Sequence, residues 1–428
     1  MRPLRVRSLA AVALVAASLL VAAPADAAST PSAEVLFDGG NEAYVNGAYR
    51  VDYHSFRAPA VIRTKGNTVI AFAEGRVGDN DDYGNIDLIY KTSRDSGKPG
   101  TWSGIKAVAT GWPDAVGNPT AVFDGQTVYL FFNRMAAGWR SVGDFDSWDD
   151  REVWLASSAT DVNGLPTGGW TLTEKTDTLK PHKDPSDPLN RKWFNDSIGP
   201  GAGIRMTDGT LVIPAKWRNI YKRPGDTDWH YQELTNTDVT KTDEATILQR
   251  FRGDLYRNDR ARFANAGDPP LLKRLVATGT LDGGFAGYAD HLEPGGRVLP
   301  DPDCQASTLR FAGSPNRILF LGPHPGGVSR SRTPMRVWMS YDDGVGWPYT
   351  RLLGDFPAPQ PKGRDGRPNV NGVEGGYSSM LQTADNQVGA AIEWGEQNSS
   401  GSDKNMSIIF RRFHPTWIAN GRPEPPPG

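Results

Sequence analysis

One cysteine, Cys304, stands in a chain of 428 residues. No internal disulfide can form, so burial has to hold the fold together, as it can in a chain of this length. Histidine is scarce as well. The six residues at 54, 182, 230, 291, 324 and 414 show no HExxH or similar spacing, which leaves a zinc site without ligands. Neither a metal nor a cofactor is expected. Charge of one sign is also missing: the formal net charge of -2 sets up no field to draw nucleic acid or an anionic membrane. Beyond the first 27 residues no stretch is apolar enough to span a bilayer, which takes roughly 20 residues. Long helical periodicity is absent throughout.

The N-terminus carries Arg2, Arg5 and Arg7, an apolar run from Leu9 to Ala23, and "ADA" ending at Ala27. This is the pattern of a secretory signal peptide cleaved after Ala27. The chain is therefore divided into a leader (1–27), a folded unit (28–415) and the proline-rich tail "TWIANGRPEPPPG" (416–428), expected to be disordered. The mature protein is expected to be extracellular and monomeric.

What is plentiful is glycine (48), proline (33) and tryptophan (13). Short strand-like runs recur between Asn, Asp and Gly turns, among them "NTVIAFAE", "IDLIYKTS", "QTVYLFFNR", "RVWMSY" and "MSIIFRRF". The pattern is all-β, a sandwich or a propeller, and length favours the propeller. Two turns share a motif, "SRDSGKPGTW" (93–102) and "SYDDGVGW" (340–347), each after a strand. In such a turn the aspartate accepts backbone N–H bonds, glycine takes positive φ and tryptophan packs beneath. Weaker copies are "TLDGGF" (280–285) and "SSATDVNGLPTGGW" (157–170). These turns resemble the Asp-boxes of the bacterial exo-alpha-sialidase (neuraminidase) family, and that resemblance implies a six-bladed β-propeller.

The segment "GDNDDYGNID" (78–87) first suggests a calcium loop. Counted from Asp79, however, the fifth and twelfth ligand positions fall on Tyr83 and Tyr90, and a strand follows where an EF-hand has a helix. It resembles instead the sialidase segment Asp-x-Gly-Asn-Ile-Asp that precedes the first Asp-box strand. On that resemblance Asp82 is the general acid/base, Asp81 is the alternative, and Asp87 braces the loop. "HSFRAPAVI" resembles the sialidase Arg-Ile-Pro motif, with Ala58 in place of isoleucine, and so implies that Arg57 is the first of three arginines holding the substrate carboxylate. Guanidinium suits that task through paired, charge-assisted bonds. Read without the resemblance, Arg57 is better taken as an arginine at a strand start in a surface ion pair. "AFAEGR" supplies Arg76 as a substrate contact, with Glu74 as its partner.

In "DEATILQRFRGDLYRNDR" (243–260) the resemblance marks Glu244 and Arg260, with Arg257 as the alternative arginine. Read by pattern alone, "DEATILQRF" could be a charged helix face. "SRSRTPMRVWMS" (329–340) offers Arg332 as the third arginine, with Arg330 as the alternative and Arg336 facing solvent. "GGYSSML" aligns Tyr377 with the nucleophilic tyrosine, and "AIEWG" aligns Glu393 with the glutamate that steadies Arg57. The mechanism implied is a retaining hydrolysis of terminal sialic acid from glycoconjugates, through a glycosyl-tyrosine. Glu244 is then the base for Tyr377. A neutral tyrosine escapes the repulsion that a carboxylate nucleophile would meet from the acid group on the anomeric carbon; it is the known exception among two-carboxylate glycosidases.

Two departures stand out. "FRAP" lacks the isoleucine, and residues 217–243 lack an Asp-box. The latter reads as an extended loop whose Trp217, Tyr221, Trp229 and Tyr231 shape an acyl or aglycone pocket. The alternative functions are a trans-sialidase and a non-catalytic sialic-acid-binding propeller. The sugar itself is N-acetylneuraminic acid or another nonulosonic acid such as 2-keto-3-deoxynononic acid.

Overall fold

Runs of β-branched and aromatic residues become strands where both faces are covered. Val69–Arg76 and Ile86–Ser93 are buried at every position. The computed structural model describes residues 30–111, 114–136, 145–234, 241–262, 272–290, 292–293, 297–325, 331–362, 366–367, 372–397 and 403–425. The leader and Arg330 lie outside them. Among the described residues the only α-helices are Thr176–Leu179 and Pro415–Ala419, and no helix is long and apolar enough to cross a membrane. The molecule is an all-β propeller.

Four sheets of four or five strands stand apart as antiparallel meanders, where six separate ones were expected. One holds Gly372–Gln382, Val388–Gln397, Asp403–Phe413 and the N-terminal Ser32–Phe37. Another runs from Ile204–Arg205 to His230–Glu233, a third begins at Thr242–Gln249, and a fourth runs from Ser307–Phe311 to Tyr349–Leu352. The remaining large sheet has nine strands. It contains two meanders, one from Ser55–Arg63 to Lys106–Ala109 and one from Ala115–Phe123 to Thr171–Glu174, joined by the parallel pair Ile86↔Ala115. That bridge joins the two meanders into one hydrogen-bonded sheet.

The inner strands meet through short polar contacts. Val61 N donates to Ser379 Oγ at 3.1 Å, Ser307 and Ser378 hydroxyls lie 3.1 Å apart, and those of Thr246 and Thr308 lie 2.9 Å apart. Gln305 Nε2 donates to the Ser378 and Pro200 carbonyls at 2.9 and 3.0 Å. Apolar cores fill the spaces between neighbouring sheets; Leu319, Val337, Ile392 and Phe413 share one such cluster.

The two motif turns differ in detail. At the second, Ser340 Oγ accepts from Gly344 N at 2.9 Å and Asp342 Oδ1 from Gly346 N at 2.8 Å, above a fully buried Trp347. At the first, the hydroxyl of Ser93 accepts from Gly97 N at 3.0 Å, while Asp95 pairs with Lys98 at 2.8 Å. The serine, not the aspartate, is the acceptor common to both turns. Gly97 and Gly344 have φ of 68° and 81°, so glycine is required there.

Two expectations are corrected. Residues 217–243 are not an extended loop: Arg218–Lys222 and His230–Glu233 are strands, and residues 235–240 lie outside the description. Trp229 is core, 4.8 Å from the Phe131 ring, and Trp217 packs edge-on to Trp193. The segment "DEATILQ" is the strand that the resemblance implied, and the helix that pattern alone allowed does not form. Second, the tail is not loose as far as residue 425. Ile418 is buried, the Glu424 carboxylate receives Arg317 at 2.6 Å and the Tyr341 hydroxyl at 2.6 Å, and Tyr349 Oη donates to Pro423 O at 2.7 Å. Apolar and ionic partners outweigh the prolines.

Candidate active site

Four inner strands carry a β-bulge where they reach one cavity. The register shifts fall between Arg57 and Ala60, Gly117 and Thr120, Thr242 and Ala245, and Glu374 and Ser378. A bulge adds a residue without a partner and re-aims the side chains beside it. Ala58, Asn118 and Gly376 take φ of 51°, 59° and 96° at these places. Arg57, Glu244 and Tyr377 are the side chains so redirected. They line a cavity of about 200 Å³ together with Arg76, Asp82 and Arg260.

Glu393, fully buried, is the organising anion on one wall. It accepts Arg57 Nε at 3.1 Å, Ala58 N at 2.9 Å and Tyr377 N at 2.9 Å. Arg57 in turn donates to Asp82 Oδ1 at 3.1 Å, and Arg76 Nη2 reaches the same oxygen at 2.8 Å. Arg76 is oriented by Glu74 at 2.5 Å, whose other oxygen accepts Asn118 N at 2.7 Å. Burial would raise the Asp82 carboxyl, but Arg76 and Arg57 outweigh it and hold Asp82 well below the usual carboxylate range. The Asp82 side chain nevertheless remains 66% exposed, facing the cavity mouth.

On the opposite wall the Tyr377 hydroxyl donates to Glu244, and Arg260 donates to both, with Nη1 lying 3.1 Å from the phenol oxygen. Asp303 braces two cations at once: its carboxylate accepts Arg260 Nε at 2.7 Å and its carbonyl accepts Arg332 Nη2 at 2.8 Å. The guanidinium carbons of Arg57 and Arg332 lie 5.3 and 5.7 Å from the Tyr377 ring centre. Burial, and then the Glu244 charge, push the phenol well above its ordinary value. Burial also raises Glu244, with the Asp243 charge adding to it against Arg260. The resting pair is thus a protonated phenol held on a carboxylate, ringed by three guanidinium groups.

Every residue singled out for the site is brought together: Arg57, Arg76, Asp82, Glu244, Arg260, Arg332, Tyr377 and Glu393. The alternatives Asp81 and Arg257 make other contacts, and Arg330 lies outside the described residues. Asp81 is exposed, its backbone N–H bound to Asp79 Oδ1 at 3.0 Å. Arg257 is fully buried against Asp259 at 2.9 Å. Asp87 is buried, accepting Tyr53 Oη at 2.9 Å and Gly111 N at 2.8 Å, a loop brace. Arg336 donates to Thr350 Oγ1 at 3.1 Å on an outer strand.

Asn118, Arg151, Asn195, Ser197, Asp243 and Arg262 also line the cavity, and sequence reasoning missed them. Asn118 and Asp243 sit at bulges, Arg151 opens the strand Arg151–Ala159, Asn195 and Ser197 follow the short turn Asn190–Trp193, and Arg262 follows Leu255–Ala261, places where no spacing rule applies. Only the adjacency of Asp243 to Glu244 offered a signal.

The BNR repeat-like domain family matches residues 58–231. The chain is 37% identical over 396 residues to an exo-alpha-sialidase of Aspergillus fumigatus, covering 87% of this chain and 86% of that protein. It is 36% identical over 393 residues to an exo-alpha-sialidase of Arthroderma benhamiae, with the same coverage. Both relatives are fungal, so they speak to the family and not to its bacterial members. Among solved structures, Trypanosoma rangeli sialidase in complex with 2,3-difluorosialic acid, a covalent intermediate, superposes with a TM-score of 0.64 at 19% identity. That match covers 89% of this chain but only 59% of the other, and it bears on the fold alone.

Proposed function

Because the chain belongs to the exo-alpha-sialidase family and is a glycoside hydrolase, we propose that it removes terminal sialic acid from glycoconjugates with retention, through a glycosyl-tyrosine. The observation that carries this reading is the Tyr377 phenol hydrogen-bonded to Glu244 and surrounded by Arg57, Arg260 and Arg332. The sugar is N-acetylneuraminic acid or a related nonulosonic acid. We count the two meanders of the nine-stranded sheet as two blades, which makes six, and read the Ser93 and Ser340 turns as Asp-boxes. The leader makes the protein an exported one.

The steps follow from the contacts. The three arginines take the substrate carboxylate, which sits on the anomeric carbon. Tyr377 Oη attacks that carbon as its proton passes to Glu244. The bond to the aglycone breaks, and the leaving oxygen takes the proton of Asp82. Water then attacks the same carbon, giving its proton to Asp82, while the tyrosine oxygen departs and recovers its own from Glu244. Arg260 beside the phenol oxygen stabilises the charge that develops there. In the empty site Asp82 is ionised between two guanidinium groups. A substrate carboxylate that occupies Arg57 removes one of these counter-charges and adds a negative neighbour, and both changes favour the protonated acid.

The test is release of a fluorescent aglycone from an N-acetylneuraminic acid glycoside by the wild type and by Tyr377→Phe. A fall of orders of magnitude, with the fold intact by circular dichroism, is expected. A Tyr377→Phe protein as fast as the wild type removes the tyrosine mechanism. No release by either directs the same assay to a 2-keto-3-deoxynononic acid glycoside.

A further inference from the structure

Past the reacting groups, Asn195 and Arg262 are shared between the first cavity and a second, wider lobe of about 410 Å³. Its lining holds four cations, Arg191, Lys192, Lys216 and Arg262, and no carboxylate among the described residues. The rest of the wall includes Phe145, Phe194 and Trp217. Lys216 is only 2% exposed; its ammonium donates to Asn195 O at 2.7 Å and lies 4.8 Å from the centre of the Trp217 ring. Asp243 bears on this group from the first cavity, 3.5 Å from Arg262 Nε, and offsets part of the charge. Arg191 and Lys192 are exposed on the short turn Asn190–Trp193, which the buried Trp193 anchors, and neither makes an ion pair among the described residues.

We infer that this lobe is a subsite for an anionic group on the glycan next to the reacting sugar, either the carboxylate of a second acidic sugar or a sulfate ester. Arg191 and Lys192, exposed beside the cleft and without an ion pair among the described residues, favour such a group through charge-assisted hydrogen bonds, and the aromatic walls suit the apolar face of a pyranose. The lobe adjoins the cavity that receives the reacting ring, sharing Asn195 and Arg262 with it, so a single glycan is placed to reach both. The inference rests on the sialidase reading of the first cavity.

Three substrates test it: an N-acetylneuraminic acid glycoside with a neutral neighbour, one whose neighbouring sugar carries a second nonulosonic carboxylate, and one whose neighbour carries a sulfate ester. Wild-type kcat/KM is expected to be about tenfold higher for an anionic neighbour, through KM, with the preference shrinking as salt is raised. The double variant Arg191→Gln/Lys192→Gln is expected to bring the substrates level by removing that gain in KM. A preference confined to one of the two acids names the group the lobe takes. Equal efficiency on all three in the wild type, or a preference that survives the double substitution, overturns the subsite and leaves the sialidase reading standing. No turnover of any of the three, with no binding of them by calorimetry, overturns both.

Discussion

At the scale of single residues, the two carboxylates that move protons are set in opposite directions. Asp82 is held low by Arg76 and Arg57, whereas Glu244 is raised by burial and by the Asp243 charge. In the free site Glu244 holds a proton more tightly than Asp82, whereas the reaction needs Asp82 protonated and Glu244 ionised. The reactive free enzyme therefore carries one proton in total, and kcat/KM declines as pH rises through the Glu244 value, when that proton is lost. Asp243→Asn removes one of the causes that raise Glu244, so the alkaline limb of kcat/KM is expected to move to lower pH. A limb that stays in place, or moves up, would rule out Glu244 as its source. The chain order of Arg57, Asp82, Glu244, Arg260, Arg332, Tyr377 and Glu393 was legible in the sequence because each sits in a short motif. Asp303 was not: it serves two arginines through a side chain and a carbonyl, a role that three-dimensional proximity alone creates.

At the scale of elements, strands could be read from hydrophobic runs because burial on both faces demands them. Bulges could not, since a register shift depends on the partner strand. The bulge that delivers Tyr377 leans on two glycines, Gly375 with no room for a side chain and Gly376 at a φ of 96°. A Cβ at Gly375 would meet Thr333 Cγ2 at 2.2 Å and Arg332 O at 2.7 Å, while Gly376 N donates to Arg332 O at 3.0 Å. The nucleophile's strand is thus seated directly on the backbone of the third arginine. Gly375→Ala has to push the two apart. Expected consequences are a loss of about 1–3 kcal/mol of stability, the usual size of an overpacking strain, and a drop in kcat larger than Tm accounts for. Denaturant unfolding together with initial rates measures both; unchanged kcat in a less stable protein would mean that the contact serves folding only. The misread stretch 217–243 fails for a related reason. Trp229 packs inward as core and Trp217 is buried behind the second lobe, while Tyr221 and Tyr231 stay at least partly exposed on short strands, and composition alone gives no direction to an aromatic side chain.

At the scale of the whole molecule, the site joins distant parts of the chain. Arg57 lies near its beginning, yet its anion Glu393 and the Tyr377 backbone lie near its end. What keeps the two ends together is the pairing of Ser32–Phe37 with Asp403–Phe413, in register from Ser32↔Arg412 to Phe37↔Ile408. Leu36 and Phe37 are buried there, and Lys91 Nζ donates to Leu36 O at 2.6 Å. Removing that strand leaves Asp403–Phe413 as an open edge with unpaired backbone groups. It also exposes two large apolar side chains' worth of core, about 1.5–3 kcal/mol each. A chain starting after Phe37 is therefore expected to lose at least about 3 kcal/mol of stability by denaturant titration, to associate through the open edge in sedimentation, and to lose sialidase activity as Arg57 drifts from Glu393. Shortening the chain only to residue 30 leaves the strand whole and is expected to change none of these. If the shorter chain instead kept its activity and midpoint, the inner-strand contacts Val61–Ser379 and Arg57–Glu393 would be enough to hold the ring, and the terminal strand would be an edge cover rather than its clasp.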